Sequence, residues 1–62
     1  MGFWYRAESY GAASTCKCQT RVEAIDVAAS IARRTDLPAT VYVMPRHDRY
    51  AVVRPDGTME VL

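Results

Sequence analysis

The segment from Thr20 to Arg34 constrains the fold more than any other, because it alone is long and periodic enough to predict an α-helix. Its sequence is TRVEAIDVAASIARR. It opens with a capping box, in which the Thr20 side chain accepts a hydrogen bond from the Glu23 amide and Glu23 reaches back to the Thr20 amide. Glu23 and Asp26 suit the positive N-terminal end of the helix dipole, and Arg33 and Arg34 suit the negative C-terminal end. The flanking segments resemble short strands, so this helix is expected to cover a sheet.

Alternating and β-branched residues predict strands on both sides of the helix. In the first strand, alternation places Phe3, Tyr5 and Ala7 toward the core. The predicted strands are Phe3–Glu8, Ala13–Cys18, Thr40–Met44, Tyr50–Arg54 and Thr58–Leu62, with an open loop as the alternative for Ala13–Cys18; turns are expected at residues 9–12, 45–48 and 55–57. The sequence therefore predicts a single α+β domain over residues 1–62, with one helix packed on an antiparallel sheet in ββαβββ order.

The apolar residues of the helix cover an unusually wide arc. The stripe expected to face the core consists of Val22, Ile25, Ala28, Ala29 and Ala32. Val27, Ile31 and Ala24 extend the arc beyond what one sheet face needs. Loop residues such as Leu37 and Tyr10 can shield this extension; alternatively, Val27 and Ile31 form an interface to a partner or to a second copy in a homodimer.

Size and charge limit the functions that the chain can support. With 62 residues and a net charge of +1, it has a thin core and no overall field that attracts nucleic acid or anionic membranes. Residues 1–10 lack the basic start and apolar run of a signal peptide, and no apolar segment is long enough to span a bilayer. We therefore expect a cytoplasmic protein that does not bind membranes.

The sequence offers little support for an enzyme or a metal centre. Cys16 and Cys18 would need two further ligands, for which only His47 and Asp48 are at hand, and structural zinc sites have firmer spacing than this. Small buried or half-buried thiols are the expected role of the two cysteines. No nucleophile elbow, phosphate loop or paired catalytic carboxylate is present. We expect no catalytic residues, no metal and no cofactor.

The cationic residues around the second hairpin form the main candidate binding surface. Arginine beside exposed tyrosine grips phosphates, stacks on bases or anchors on protein surfaces. The predicted partner-binding residues are Arg46, Arg49, Tyr50, Arg54, Tyr42, Arg33 and Arg34. The alternative role of Arg33 and Arg34 is to complement the helix dipole, and the hairpin arginines can simply keep a sheet edge soluble.

The order of these features resembles two groups of small proteins. The features are a hairpin, a capped helix of the form T-x-x-E-A-x-x-x-A starting at Thr20, a hairpin whose second strand contains YAVV, and a D-G turn at residues 56–57. They resemble the small ββαββ domains of unknown function from bacteria and phages, and the small anti-CRISPR proteins of phages and mobile elements. The resemblance spans Phe3 to Val61.

The resemblance to anti-CRISPR proteins implies a non-enzymatic inhibitor, encoded by a phage, that docks on a bacterial CRISPR effector or a similar nucleoprotein complex in the host cytoplasm. Several such proteins act through acidic surfaces, which this chain lacks, so a binding mode using aromatic residues and mixed charges fits better. A second hypothesis is a small nucleic-acid-binding module that uses the arginine- and tyrosine-bearing hairpin. A third is a structural or homo-oligomeric domain joined through the helix.

Overall fold

The computed structural model describes residues 2–9, 12–13 and 17–62. It contains the helix α1 and strands in the predicted ββαβββ order. The elements are β1 (Trp4–Ser9), β2 (Ala12–Ala13), α1 (Arg21–Thr35), β3 (Ala39–Met44), β4 (Asp48–Val53) and β5 (Met59–Val61). In the part of the chain that is described, no helix is long and apolar enough to cross a membrane.

The strands form one antiparallel sheet in the order β2-β1-β3-β4-β5. The helix α1 packs on one face of this sheet, mainly over β1 and β3 and less over β4. This arrangement confirms the predicted α+β fold, with one helix on an antiparallel sheet.

Both ends of α1 are capped by the local sequence. The Glu23 amide donates to Thr20 Oγ1 at 3.1 Å, as the capping box predicts. The return bond differs from the prediction, because Glu23 Oε1 accepts from the amide of Gln19 at 2.7 Å and not from that of Thr20. At the other end Asp36 adopts a left-handed φ of 58°, and its amide donates to the carbonyl of Ala32.

The buried face of α1 is rotated relative to the predicted stripe. The buried helix residues are Ala24, Ala28, Ile31 and Ala32, whereas Val22 is 70% exposed and Ile25 and Ala29 are only partly covered. The alanines let the helix lie close to the sheet, and Ile31 fills the space above it. Ile31 is only 3% exposed, so the prediction that it contributes to a dimer interface is wrong. Val27, the other residue predicted for that interface, is partly buried against the core.

The N-terminal segment differs from the prediction in detail. Phe3 precedes β1 and is 69% exposed, so it is not a core residue, while Tyr5 and Ala7 do face the core. Among the described residues, the second strand consists of Ala12–Ala13, and Cys18 forms a separate bridge with Tyr5. The predicted turn and strand residues Tyr10, Gly11 and Ser14 to Cys16 lie outside the described residues.

A β-bulge in the second hairpin changes which way its side chains point. Val41 pairs with Ala51, but the next residue, Tyr42, pairs with Arg49, so Tyr50 has no partner in the register. A bulge of this kind interrupts the alternation of side chains between the two faces. Tyr50 consequently packs against the core on the side of α1.

Candidate partner-binding surface

The face of the sheet opposite α1 is not covered by any described element, and we call it the open face. Register and alternation determine which residues lie on it. They are Trp4, Arg6 and Glu8 from β1, Thr40, Tyr42 and Met44 from β3, Arg49 and Val52 from β4, and Glu60 from β5.

Four side chains on the open face form a connected cluster around Glu8. Glu8 Oε2 lies 3.1 Å from Arg6 Nε and 3.4 Å from His47 Nε2. The His47 ring stacks on Tyr42, with 4.0 Å between the centroids and 12° between the planes. Arg6 Nε is buried and makes no hydrogen bond with any described residue, so its contact with Glu8 is a charge contact of poor hydrogen-bond geometry. The cluster combines both charge signs with a flat aromatic pair.

The turn between β3 and β4 places His47 in this cluster. His47 has a left-handed φ of 66°, and its amide donates to the carbonyl of Val43 at 2.9 Å. This conformation returns the chain over the open face, so the imidazole lies on Tyr42. The sequence indicated a turn here but gave no sign of the stacking, because the approach of Glu8 from β1 is a contact between distant parts of the chain.

A second pair of side chains lies on the open face at the start of β1. The Lys17 ammonium lies 5.0 Å from the centre of the Trp4 ring, within the range of a cation–π contact. This pair also arises from tertiary structure, since Lys17 precedes the bridge that joins Cys18 to Tyr5. The open face therefore presents two separate aromatic–cation groups.

A shallow pocket of about 430 Å³ lies beside the Glu8 cluster, at the end of the sheet where β3 begins. It is lined by Glu8, Ser9, Pro38, Thr40 and Tyr42. Its polar groups include the Glu8 carboxylate and the Ser9 hydroxyl, which donates to the carbonyl of Pro38 at 3.1 Å. The pocket is a depression beside the open face into which a side chain of a partner can insert.

Three of the sequence-predicted site residues lie together near the tip of the second hairpin. Tyr42 is stacked with His47, and Arg49 is its cross-strand neighbour on the open face. Arg46 lies in the turn, with Nε 3.8 Å from Asp48 Oδ2, and both side chains are largely exposed. An exposed pair at that distance contributes little to stability, so Arg46 is available for contacts with a partner.

Tyr50, also predicted for the site, lies on the other side of the sheet. Its hydroxyl accepts from Arg21 Nη1 at 3.5 Å, and the Arg21 guanidinium lies 5.6 Å from the centre of its ring. The structure therefore separates Tyr50 from Tyr42, although both belong to the same hairpin.

The remaining three predicted residues lie at the opposite end of the molecule. Arg54 follows β4 and pairs with Glu60 at 2.7 Å. Arg33 and Arg34 are exposed in the last turn of α1, which leads into the start of β3, about 20 Å of strand away from the hairpin tip. The seven residues thus form no single surface.

The residues considered as metal ligands are not brought together either. Cys18 is 1% exposed in the core beneath α1, as expected of a packing thiol, whereas His47 lies on the open face. Cys16 is outside the described residues. The described residues contain no group of three or more His, Cys, Asp or Glu side chains placed to hold a metal ion.

Comparison with protein-family models gives no match for this chain, and no curated protein and no solved structure matches it.

Proposed function

We propose that this chain is a non-enzymatic binding protein that docks on a bacterial protein or nucleoprotein complex through its open face and blocks the activity of that complex. The observation that carries the proposal is the cluster of Arg6, Glu8, Tyr42 and His47 on the uncovered side of the sheet. Aromatic and arginine side chains are the residues that contribute most at protein interfaces.

The charge pattern of the cluster favours a protein surface as the partner. Glu8 touches both the Arg6 guanidinium and the His47 ring, and Glu60 pairs with Arg54 farther along the same face. A ligand with one sign of charge, such as a phosphate backbone, meets repulsion from these carboxylates. A protein surface that carries both signs can complement them.

The resemblance to anti-CRISPR proteins supplies the class of partner, namely a CRISPR effector complex in the cytoplasm of a host bacterium. The absence of a strongly acidic surface argues for contact with the protein part of such a complex and not for mimicry of DNA.

Direct binding of single-stranded nucleic acid is the second candidate function. It is favoured by the parallel Tyr42–His47 stack with Arg49 opposite Tyr42, because bases stack on exposed aromatic rings beside cations. The carboxylate of Glu8, which lies at the edge of that stack, opposes it.

The test measures target cleavage by purified CRISPR effector–guide complexes with and without the protein. We expect inhibition of at least one complex, and loss of that inhibition in the variant Tyr42→Ser with His47→Ser. The matched control, Arg33→Ser with Arg34→Ser, changes two exposed residues at the opposite end and should inhibit normally. If no complex is inhibited, or if both variants behave alike, the proposal fails.

A gel-shift assay distinguishes direct nucleic-acid binding from docking on a protein surface. Nonspecific single-stranded DNA and RNA are titrated at about 50 mM and about 200 mM salt, since binding through phosphate contacts weakens steeply over this range. Our proposal requires little binding at either concentration. Tight binding at the lower salt that falls at the higher salt, and that is lost in the Tyr42 and His47 variant, would establish the nucleic-acid function instead.

A further inference from the structure

The pocket beside the Glu8 cluster offers mainly groups that accept hydrogen bonds. The Ser9 hydroxyl gives its one hydrogen to the carbonyl of Pro38 at 3.1 Å, so while this bond is kept its oxygen can only accept from a ligand. The Pro38 carbonyl keeps a second lone pair, and proline has no amide hydrogen to donate. The hydroxyls of Thr40 and Tyr42, which also line the pocket, can act either way. The pocket therefore suits a ligand that donates several hydrogen bonds.

The charge of the pocket favours a cationic donor. Of the described residues that line it, Glu8 is the one that carries a charge. The shortest contacts of Glu8 with Arg6 and His47 are both made through Oε2, and Oε1 accepts no hydrogen bond from any described residue. The side chain is 27% exposed, so its carboxylate retains the capacity to meet a cation. Arg6 offsets part of this negative charge, and the preference for a cation is accordingly moderate.

The arrangement of the acceptors selects a guanidinium group among the cationic side chains. The Glu8 carboxylate comes from β1, and the Pro38 carbonyl comes from the segment that leads into β3. A guanidinium has five donors in a planar fork, so it can reach acceptors on different sides of a pocket at the same time. The volume of about 430 Å³ leaves room for the alkyl part of an arginine side chain beside the Tyr42 ring.

We propose that this pocket binds an arginine side chain of the partner protein, with the guanidinium donating to the Glu8 carboxylate and to the oxygens of Ser9 and Pro38. The inference rests on the proposed function for the partner's being a protein, and it adds the chemistry that the open face selects on that partner. Such a buried charge contact fixes the register of docking more than it adds affinity.

The probe is N-acetyl-arginine methylamide, which presents the side chain without charged ends. Its control is the citrulline analogue, which has the same length and shape but carries a neutral urea in place of the guanidinium. Amide chemical shifts of the protein are followed during titration at constant ionic strength. We expect the arginine probe to shift Glu8, Ser9, Thr40 and Tyr42, and to bind roughly fivefold more tightly than the citrulline probe, as one partly exposed ion pair allows.

Two variants act on the pocket itself. Thr40 lies opposite Glu8 in the register of β1 and β3, so Thr40→Lys supplies a cation from within the chain. Opposite charges on facing strands are favourable, and the variant should therefore remain folded while it loses binding of the arginine probe. Glu8→Gln should remove the preference for arginine over citrulline. Thermal unfolding confirms that both variants are folded.

Asp26→Asn is the matched control, because it changes the net charge by the same amount on the exposed side of α1, away from the pocket. It should bind the arginine probe as the native protein does. Equal binding of the two probes, shifts scattered over Asp26, Asp56 and other carboxylates, or normal probe binding by Thr40→Lys would overturn the inference.

The cleavage assay separates this inference from the proposed function. If the native protein and Asp26→Asn inhibit a complex and Thr40→Lys does not, the pocket takes part in docking. If Thr40→Lys inhibits as well as the native protein, the inference is wrong while the proposed function stands. If the native protein inhibits no complex, the proposed function fails, and binding of the arginine probe still decides whether the pocket holds a guanidinium.

Discussion

The side chain of Asp56 holds the turn that returns β5 along β4. Asp56 Oδ1 accepts from the Thr58 hydroxyl at 2.7 Å and from the Thr58 amide at 2.9 Å, and Gly57 adopts a left-handed φ of 94°. The hydrogen bond from the Thr58 hydroxyl, followed by that from its amide, lowers the pKa of Asp56 from its ordinary value of 3.8. The Pro-Asp-Gly sequence predicted this turn for the same reason, since aspartate accepts local backbone bonds and glycine tolerates positive φ.

We predict that Asp56→Asn makes stability less dependent on pH. A carboxyl whose pKa is lowered in the folded state stabilises the fold fully above its unfolded pKa, and this contribution is lost as the pH falls through the folded pKa. The melting temperature of the variant should therefore be lower than that of the native protein at neutral pH, and the difference should shrink below about pH 4. Thr58→Ser, which retains the donor hydroxyl, should keep the native profile. A difference that stays constant down to pH 2 would contradict this assignment.

Among single residues, Tyr50 shows why the candidate site could be predicted only in part. The sequence indicated correctly that Tyr42 lies on a strand near Arg49, because alternation and a short turn suffice for that. It could not show that Tyr50 faces α1, because a one-residue bulge leaves no clear signal in the pattern. The stack of His47 on Tyr42 and the contact with Glu8 depend on strand order, which local patterns do not encode.

The helix α1 was predicted closely because its signals are local. Thr20 and Glu23 locate its start through the capping box, and Arg33 and Arg34 mark its C-terminal end through the helix dipole. The predicted buried face is rotated about the helix axis relative to the observed one. The reason is that eight apolar residues spread over a wide arc do not indicate which of them lie at its centre. In the folded protein the side of the helix with Ala24, Ala28 and Ile31 packs against the sheet, because its small residues allow close packing. Val22 is exposed to solvent.

A series of truncations to alanine in α1 tests this orientation. Ile31→Ala should cost about 2–5 kcal/mol, because it opens a cavity in the core. Ile25→Ala removes the same atoms from a half-buried position and should cost about half as much. Val22→Ala should change stability by less than about 0.5 kcal/mol, as expected of an exposed position. Chemical denaturation measures all three; a larger cost at Ile25 than at Ile31 would favour the face predicted from the sequence.

Across the whole molecule, the five arginines predicted to bind a partner fall into two groups at opposite ends. Arg46 and Arg49 lie near the tip of the second hairpin, and Arg33, Arg34 and Arg54 near the other end of the sheet. The sequence suggested one surface because the hairpin and the end of the helix are close along the chain. The antiparallel path separates them, since α1 begins near the tip, where Arg21 meets Tyr50, and ends where β3 starts.

This separation makes the binding surface testable with two pairs of charge reversals. We predict that Arg46→Glu with Arg49→Glu weakens binding to the inhibited complex at least about tenfold, or about 1.4 kcal/mol, because both residues border the Tyr42–His47 stack at the end of the open face. A pair is needed because single rim charges contribute little.

The control pair, Arg33→Glu with Arg34→Glu, makes the same change in charge at the other end of the molecule. It should lower the melting temperature, since it reverses the favourable charges at the C-terminal end of α1, and yet leave affinity for the complex within about twofold of the native value. Affinity is measured by titration at fixed ionic strength, so that the equal change in net charge cancels between the two variants. If the helix pair abolishes binding and the hairpin pair does not, the partner contacts the helix end and the open face is not the docking surface.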